Sequence, residues 1–562
     1  MERQEIKKQG LIGKRLYGAG LLGLLILAVP HYLDTRAGAL ESGDTWLTGW
    51  YILTAVLVVA AVAFLGAVLL IPNRRKKSGP IPLETFFVAA ALIFGTVYLF
   101  VLPPLSAPDE VRHYISAYQI SNRIMGLPAS GEDGKVPVRE EDWFAEDSCK
   151  DYRAYVTADG ALATDEEGAE EAKVLGQTLT EETYRLIHEK GGALYESPRP
   201  EGGNGTALSN HRPVVTTPLG YLVPALGITA ARLLGLNSLW LLYLGRFCNL
   251  IFFTAAVWSA MRRLPFGKEV LCGVALLPMT LHLAASFSYD VLILAGVFYF
   301  TAHCLYLAYQ AERVRPADVL ILSAVMAAAG PCKMVYAVFM GLCLLIPVRK
   351  FGGWGKWALS AACVLGAWLA AMSVVNGQTV AVYAAETDNF VSWAQEPGFT
   401  ITMLLHQPVK LLQMFYNTVV WQAEYWHLTL LGGYLGNVDV VLDVPYLVIL
   451  LLTGCLLGLA FRKPGENLVL TGRARIWIWF LCLICAGATM FSMLIAWTPV
   501  SSKIICGVQG RYFLPFLPLL LMTLKNDRFV LTKKADRSIL YLMCCGNAYV
   551  LMRLFSIVSI RL

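Results

Sequence analysis

Charged residues are scarce in this chain. Only 15% of its 562 residues are Asp, Glu, Lys or Arg, whereas 56% are hydrophobic, and the mean hydropathy is +0.55. Soluble domains usually carry about 25% charged residues, so the deficit excludes an ordinary soluble protein. The net charge of +6 does not indicate nucleic-acid binding, because the sequence contains no basic folded domain that could provide the binding surface.

Cysteine provides no recognisable metal site. Most of the 13 cysteines fall inside apolar runs, where cysteine acts as a small packing residue. The one Cys-x-x-Cys pair, Cys482 and Cys485, lies within an apolar run and has no second ligand pair nearby. Cys149 and Cys506 fall in polar loops, where they form either one disulfide or two free thiols.

Long apolar runs, in contrast, recur along nearly the whole sequence. Their length, roughly 17–25 residues, is typical of membrane-spanning helices. We therefore expect an all-α polytopic membrane protein with about 13 or 14 transmembrane helices and two large extracytoplasmic loops. The first apolar run is long for a signal peptide, so we expect an uncleaved helix. Basic loops such as residues 73–78 predict a plasma-membrane protein with a cytoplasmic N-terminus.

The distribution of polar stretches divides the chain into parts. Residues 1–83 form an N-terminal two-helix extension, and residues 84–375 form a membrane core that includes a large outer loop, 104–213. A second outer loop, 376–444, is rich in aromatic residues, and residues 445–562 supply the C-terminal membrane helices. The acidic 104–213 loop is too long for a plain turn, so we expect a small extracytoplasmic subdomain with short helices.

The topology between residues 214 and 290 stays open. Three apolar runs follow the first outer loop, and strict alternation would place Arg262, Arg263 and Lys268 outside. That placement conflicts with the tendency of basic residues to stay on the cytoplasmic side. The preferred alternative confines the first run, 218–235, to the membrane interface, which returns the three basic residues to the inside.

The stretch 103–118 is the most informative segment. Three prolines, at 103, 104 and 108, end the preceding apolar helix. Asp109 and Glu110 follow, and carboxylates belong at or beyond the membrane surface because burial in hydrocarbon is costly. A new helix capped by Asp109 would place Glu110, His113 and Ala117 on one face. Two interpretations stay open: this is the active site, or the acids cap a helix where it leaves the membrane.

The two outer loops together indicate chemistry on a lipid-borne polar substrate. A carboxylate within hydrogen-bond reach of a hydroxyl can act as its general base. The faces of aromatic residues such as Trp426 can stack on sugar rings, although interfacial aromatics are also membrane anchors. Arg511 and Lys333, both expected near the outer face, are candidate ligands for a phosphate.

At this point the sequence resembles a known family. The segment Pro104–His113 is similar to the Pro-Asp-Glu…His signature of the bacterial membrane family called domain of unknown function 2142. Later segments agree with that family in the same order; these are Ser288–Asp290, Lys333–Tyr336, Gly433–Asp439 and Gln509–Pro515. The resemblance extends over about residues 85–558 and leaves the first two helices as an extension.

The family is similar in layout to the type C fold of membrane glycosyltransferases, which use polyprenyl-phosphate sugars. The resemblance implies that Asp109 or Glu110 is the catalytic acid of the first outer loop and that Asp290 is a second acid. It implies inverting transfer of a sugar from a polyprenyl-phosphate donor to an envelope glycan or lipid acceptor at the outer face. The residues expected to bind substrate are His113, Asp290, Lys333, Trp426, His427, Gln509, Arg511 and Tyr512.

A divalent cation, Mg²⁺ or Mn²⁺, remains an open question. Its ligands would be Asp109, Glu110 and Asp290, but no spacing in the sequence demands a metal.

Two other functions also stay open: a transporter or flippase for a lipid-linked glycan, and a non-catalytic scaffold for envelope assembly. A transporter needs polar groups deep in its helices and often repeated halves, whereas this sequence has few charges within its apolar runs and no convincing repeat. A scaffold would tolerate the loss of both acids.

Overall fold

The computed structural model describes residues 2–71, 81–147, 149–156, 171–179, 189, 191–195, 205–384, 389–391, 393–437, 442–467 and 470–560. Helices dominate these ranges, which confirms the all-α polytopic class. The α-helices are α1 (Glu2–Ser42), α2 (Trp46–Leu70), α3 (Leu83–Val101), α4 (Glu110–Ile124), α5 (Glu140–Asp147), α6 (Leu219–Leu233), α7 (Ser238–Arg263), α8 (Lys268–Ala275), α9 (Pro278–Ala284), α10 (Asp290–Tyr309), α11 (Pro316–Ala329), α12 (Trp354–Ala384), α13 (Ile401–His406), α14 (Pro408–Leu431), α15 (Tyr446–Ala460), α16 (Gly472–Trp497), α17 (Leu517–Met522) and α18 (Asp536–Ile560).

Shorter elements connect these helices. The 3₁₀ helices are Glu132–Gly134, Met334–Leu345, Val348–Phe351 and Gly510–Phe516. The strands are β1 (Pro137–Arg139), β2 (Cys149–Val156), β3 (Glu171–Leu179), β4 (Thr206–Leu208), β5 (Phe390–Val391) and β6 (Glu396–Pro397), which pair antiparallel as β1–β4, β2–β3 and β5–β6.

Membrane-spanning capacity is distributed over the whole chain. Within the described ranges, eight helices are long and apolar enough to cross a membrane: α1, α2, α3, α7, α10, α12, α16 and α18. Five further apolar helical segments are shorter, such as α6 and the 3₁₀ helix Met334–Leu345. This 3₁₀ helix has 12 residues and rises about 2 Å per residue, so it reaches further than an α-helix of the same length. The expected number of 13 or 14 crossings stays a prediction.

Helices α3 and α7 run antiparallel and define the two ends of the bundle. At the N-terminal end of α3, Glu84 lies 3.7 Å from Lys268, which follows α7. At its C-terminal end, Arg246 from the first half of α7 donates to the Leu99 and Leu102 carbonyls. Lys268 therefore lies at the opposite end from the 103–118 stretch. Helix α7 therefore begins at the end of the bundle where α3 finishes. This agrees with the alternative in which the run 218–235, between α3 and α7, does not cross the membrane.

The apolar run that follows α7 does not form one continuous helix. It forms two short helices, α8 and α9, because Leu277 is extended and Pro278 then starts α9 at its first position. A turn over residues 285–289 links α9 to α10. The turn before α10 lies at the same end of the bundle as the 103–118 stretch, since the Phe287 amide donates to Glu110.

The first outer loop contains strands as well as the expected short helices. Val138 in β1 and Val136 just before it are buried, the alternation of a half-buried strand, and β1 pairs with β4 from the far end of the loop. The loop is held on α4 by Asp142, whose carboxylate accepts hydrogen bonds from Tyr118 Oη at 2.7 Å and from the Arg139 guanidinium. These contacts place a small folded layer over α4.

Candidate functional site

Glu110 is a buried structural acid. Its side chain is fully inaccessible, and Oε1 lies 3.2 Å from Nε of the equally buried Arg246. The carboxylate also accepts hydrogen bonds from the amides of Ala107 and Phe287, both at 2.9 Å. Arg246 in turn donates to the Ala285, Leu99 and Leu102 carbonyls. This pair ties together the end of α3, the start of α4 and the α9–α10 turn.

Asp109, the neighbour of Glu110, has the opposite environment. It is exposed, and its backbone is left-handed, with a φ of 56° and a ψ of 18°, a conformation that Asp and Asn tolerate better than most residues. Its side chain makes no hydrogen bond to the first turn of α4, so the capping interaction expected for Asp109 is absent. The backbone instead holds this carboxylate at the surface, beside the buried Glu110.

Asp290 is the centre of a buried cluster of charges. Its Oδ2 lies 2.6 Å from Arg511 Nη1, and its Oδ1 lies 3.1 Å from Lys333 Nζ. Lys333 comes from the turn between α11 and the 3₁₀ helix Met334–Leu345, and Arg511 comes from the 3₁₀ helix Gly510–Phe516. One carboxylate therefore faces two cations, which leaves the cluster with a net positive charge.

Aromatic rings and one amide frame this cluster. Lys333 Nζ lies 4.1 Å from the centre of the Tyr512 ring and 5.5 Å from that of Tyr289, distances at which a cation is attracted to an aromatic face. Gln509 Oε1 accepts a hydrogen bond from Arg511 Nε. Lys333 and Tyr512 are only half-buried, so the cluster can be reached from one side.

His113 lies on the inner face of α4, next to the same cluster. Its Nδ1 is 2.8 Å from Tyr221 Oη, and its ring meets Tyr289 edge-on with centroids 4.9 Å apart. Burial lowers the pKa of His113 to about 4, although the negative charges of Asp109 and Asp290 partly offset this effect. His113 is therefore neutral near pH 7 and serves as a hydrogen-bond partner.

We expect His113 to make stability depend on pH. Its folded-state pKa of about 4 lies below the unfolded value of 6.5, so the unfolded chain binds more protons as the pH falls through this window. The free energy of unfolding should decrease between pH 6.5 and 4, by roughly 3 kcal/mol from this group. Thermal unfolding in detergent should show a shallower pH dependence for His113→Gln than for wild type.

The exposed His406 provides the matched control for this measurement. His406→Gln should keep the wild-type pH dependence. If His113→Gln and His406→Gln gave the same curve as wild type, the assignment of a neutral, stabilising His113 would be wrong.

Of the two residues of the second outer loop that we expected to bind substrate, only Trp426 lies beside the charged cluster. Trp426 lies beside the site: its Nε1 donates to the Val508 carbonyl at 3.0 Å, and its ring packs edge-on against Phe513. His427 instead faces α15, with Nε2 2.8 Å from Thr453 Oγ1. The structure therefore brings Trp426 next to the Gln509–Tyr512 segment and turns His427 away from it.

Gly510 explains how Arg511 is positioned. A side chain at this position would collide with the backbone carbonyl of Trp426 and with the amide of Leu430, because the 3₁₀ helix Gly510–Phe516 packs directly on α14. Its own amide donates to Thr429 Oγ1 at 2.7 Å. Only glycine permits this approach, which fixes Arg511 against Asp290.

The three acids considered as metal ligands do not converge. Both oxygens of Glu110 are taken by amides and Arg246, and both oxygens of Asp290 are paired with cations. Among the residues that the structure describes, no group of three His, Cys, Asp or Glu side chains is arranged to hold a metal ion. The donor set does not fit a divalent cation, and we assign no step to one.

Arg246 is the main residue that sequence reasoning missed. It is a charge within a long apolar run, and such a residue is by default a candidate for a structural or functional pairing. Its position in an apolar run therefore indicated a buried charge pair, although the sequence did not identify Glu110 as the partner. Tyr221 and Tyr289 were also missed, since tyrosine is common at membrane interfaces.

Comparison with known proteins decides the family. The family described as "predicted membrane protein (DUF2142)" matches residues 92–520, which include Asp109, Asp290, Lys333 and Arg511. The chain belongs to this family. The DUF2142 region contains the whole charged cluster and leaves α1 and α2 outside. No curated protein and no solved structure matches the chain, so the family identifies a membrane protein without naming its activity.

Proposed function

We propose that this DUF2142 protein is a membrane glycosyltransferase that moves a sugar from a polyprenyl-phosphate donor to an acceptor hydroxyl of an envelope glycan or lipid. The observation that supports it most strongly is the convergence of Lys333 and Arg511 on Asp290 next to Asp109. Asp109 is close enough to influence both Arg511 and His113 electrostatically. An accessible carboxylate thus lies beside a site with excess positive charge.

The two cations have donors left for a phosphate. A lysine ammonium has three N–H donors and an arginine guanidinium has five. The structure assigns one of the Lys333 donors to Asp290, and it assigns two of the Arg511 donors to Asp290 and Gln509. The remaining N–H groups can bind the phosphate of the donor, and Arg511 can do so with bidentate geometry.

The proposed step has a defined balance of bonds and charges. Asp109 accepts the proton of the acceptor hydroxyl as the general base. The acceptor oxygen attacks the anomeric carbon, forms the new glycosidic bond and breaks the bond to the phosphate oxygen, with inversion. Polyprenyl phosphate leaves as an anion stabilised by Lys333 and Arg511. Glu110 takes no proton in this scheme; it positions Asp109 and the α9–α10 turn.

The placement of the charges supports a reaction at the outer membrane face. Asp109 and Asp290 lie at the end of the bundle opposite Lys268. Lys533 and Lys534, which precede α18, also lie at the Lys268 end, because Lys534 lines the same cavity as Glu269. Because basic loops favour the cytoplasm, the site belongs outside and the proposed acceptor belongs to the cell envelope.

The phosphate contact leads to a direct test. Arg511→Gln should raise KM for a polyprenyl-phosphate sugar about 10- to 100-fold, since a hydrogen bond to a charged group contributes about 1.5–3 kcal/mol. The measurement is donor-dependent release of polyprenyl phosphate by the purified protein. Lys503→Gln, an exposed basic residue in the neighbouring outer loop, should keep the wild-type KM. Equal KM values for the two variants would remove Arg511 from donor binding.

A further inference from the structure

A second site lies at the opposite end of the bundle. A cavity of about 290 Å³ is bounded by the end of α2, the start of α3 and the start of α18. Leu69, Ile81 and Phe86 form an apolar wall, whereas Lys534 and Arg537 supply cationic groups. A cavity with one apolar side and one charged side fits an amphiphile better than a small polar solute.

The two acids that line this cavity, Glu269 and Asp536, are paired with lysines. Glu269 lies 2.6 Å from Lys525 and 3.7 Å from Lys463, and Asp536 lies 2.6 Å from Lys463. Lys525 also lies 3.0 Å from Glu466, so three carboxylates share two lysines and the network keeps one net negative charge, which the two cations Lys534 and Arg537 at the cavity outweigh. The network also links the starts of α8 and α18 to the segments that follow α15 and α17, so the charged wall of the cavity is fixed in place.

The cations at the cavity remain available. Lys534 is exposed, and the described part of the chain shows no ion pair for it. Arg537 donates to the carbonyls of Ile81 at 3.2 Å and Leu69 at 3.5 Å, two neutral acceptors that leave its charge uncompensated. The two side chains can therefore bind an anionic group at the mouth of the cavity.

The position of the cavity along α3 indicates which membrane leaflet it faces. Helix α3 begins at the cavity and ends just before the 103–118 stretch, and its 19 residues rise about 28 Å. A bilayer hydrocarbon core is about 30 Å thick, so the cavity and the Asp109–Asp290 site lie at opposite membrane faces. The cavity end carries the basic residues Lys534 and Arg537, and Lys533 precedes them in the chain, as is typical of the cytoplasmic side and its anionic lipids.

We propose that this cavity binds an anionic phospholipid of the cytoplasmic leaflet. Lys534 and Arg537 hold the phosphodiester, and one acyl chain covers the wall formed by Leu69, Ile81 and Phe86. Leu69 and Phe86 are already buried, but Ile81 is 43% exposed, and a free phosphate ion would leave it uncovered, which is why the lipid is the favoured source of the anion. The bound lipid joins α2 of the N-terminal extension to α3 and α18 of the membrane core. This proposal is independent of the glycosyltransferase assignment.

Native mass spectrometry of the full-length protein in detergent tests the proposal. The protein is titrated with phosphatidylglycerol, phosphatidylcholine or inorganic phosphate. We expect one phosphatidylglycerol to bind at least tenfold more tightly than phosphatidylcholine, and Lys534→Gln to lose most of that preference. Lys534 is exposed, so this variant should fold normally.

The double variant Lys534→Gln/Arg537→Gln should lose the preference for phosphatidylglycerol entirely. Arg349→Gln/Lys356→Gln, which changes two basic residues that do not line the cavity, should bind like wild type.

Thermal unfolding supplies a second readout. Phosphatidylglycerol should raise the unfolding temperature of wild type and of Arg349→Gln/Lys356→Gln, and should raise that of Lys534→Gln much less. Equal binding by Lys534→Gln and wild type would overturn the proposal. An equal effect of phosphatidylcholine would overturn its charge selectivity, and full protection by inorganic phosphate alone would overturn the assignment to a lipid.

Discussion

Asp109→Asn is expected to abolish sugar transfer while the protein folds normally. The general base contributes about 10²- to 10⁴-fold to the rate of such reactions, and asparagine cannot accept the proton. The side chain is exposed and makes no capping hydrogen bond, and asparagine tolerates its left-handed backbone, so stability should change by less than about 0.5 kcal/mol. The measurement is single-turnover release of polyprenyl phosphate together with thermal unfolding.

Asp133 offers a closely matched control. It is also an exposed aspartate in the first outer loop, and its backbone has the same φ of 56° and ψ of 18°. Asp133→Asn therefore makes the same chemical change in the same backbone conformation without altering the proposed base. It should retain full transfer. If Asp109→Asn transferred sugar as fast as Asp133→Asn, Asp109 could not be the base.

The buried Glu110–Arg246 pair should produce the largest effect on stability. Removing one partner leaves a lone charge buried, which costs about 3–5 kcal/mol. Arg246→Met and Glu110→Met should each destabilise the protein by this amount and lower its yield from membranes. The double variant should cost less than the sum of the two single variants, because neither charge is left alone. Denaturation in detergent measures all three free energies of unfolding.

A second arginine–carboxylate pair provides the comparison. Arg553 Nη2 lies 2.6 Å from Asp443 Oδ1, but 24% of the Arg553 side chain and 50% of the Asp443 side chain are exposed. Arg553→Met should therefore cost only about 0–1 kcal/mol in ion pairing. Strictly additive costs for Glu110→Met and Arg246→Met would mean that the two side chains do not stabilise each other.

Much of the helical framework could be predicted from the sequence because apolar runs of spanning length have few alternatives in a membrane. Lys333 and Arg511, which were expected near the same membrane face, lie together at Asp290. The break at Pro278 was not predicted. The apolar run around it is continuous in composition, and only the proline marks the interruption of the helix.

The different environments of Asp109 and Glu110 could not be derived from the sequence. The two are adjacent acids, and the distinction depends on the left-handed backbone at Asp109 and on the distant Arg246. The orientation of His427 likewise depends on how α14 is rotated against α15. The strand pairs of the first outer loop were missed because an acidic, glycine-containing segment gives only a weak periodic signal.

The most direct test of the proposed function is glycan analysis of the cell envelope. A deletion strain would be complemented with wild type, Asp109→Asn or Asp133→Asn at matched membrane levels. We expect one sugar substituent to be missing from the deletion strain, to return with wild type and with Asp133→Asn, and to stay missing with Asp109→Asn. Return of that substituent with Asp109→Asn would contradict base catalysis by Asp109 and favour a transporter or a scaffold.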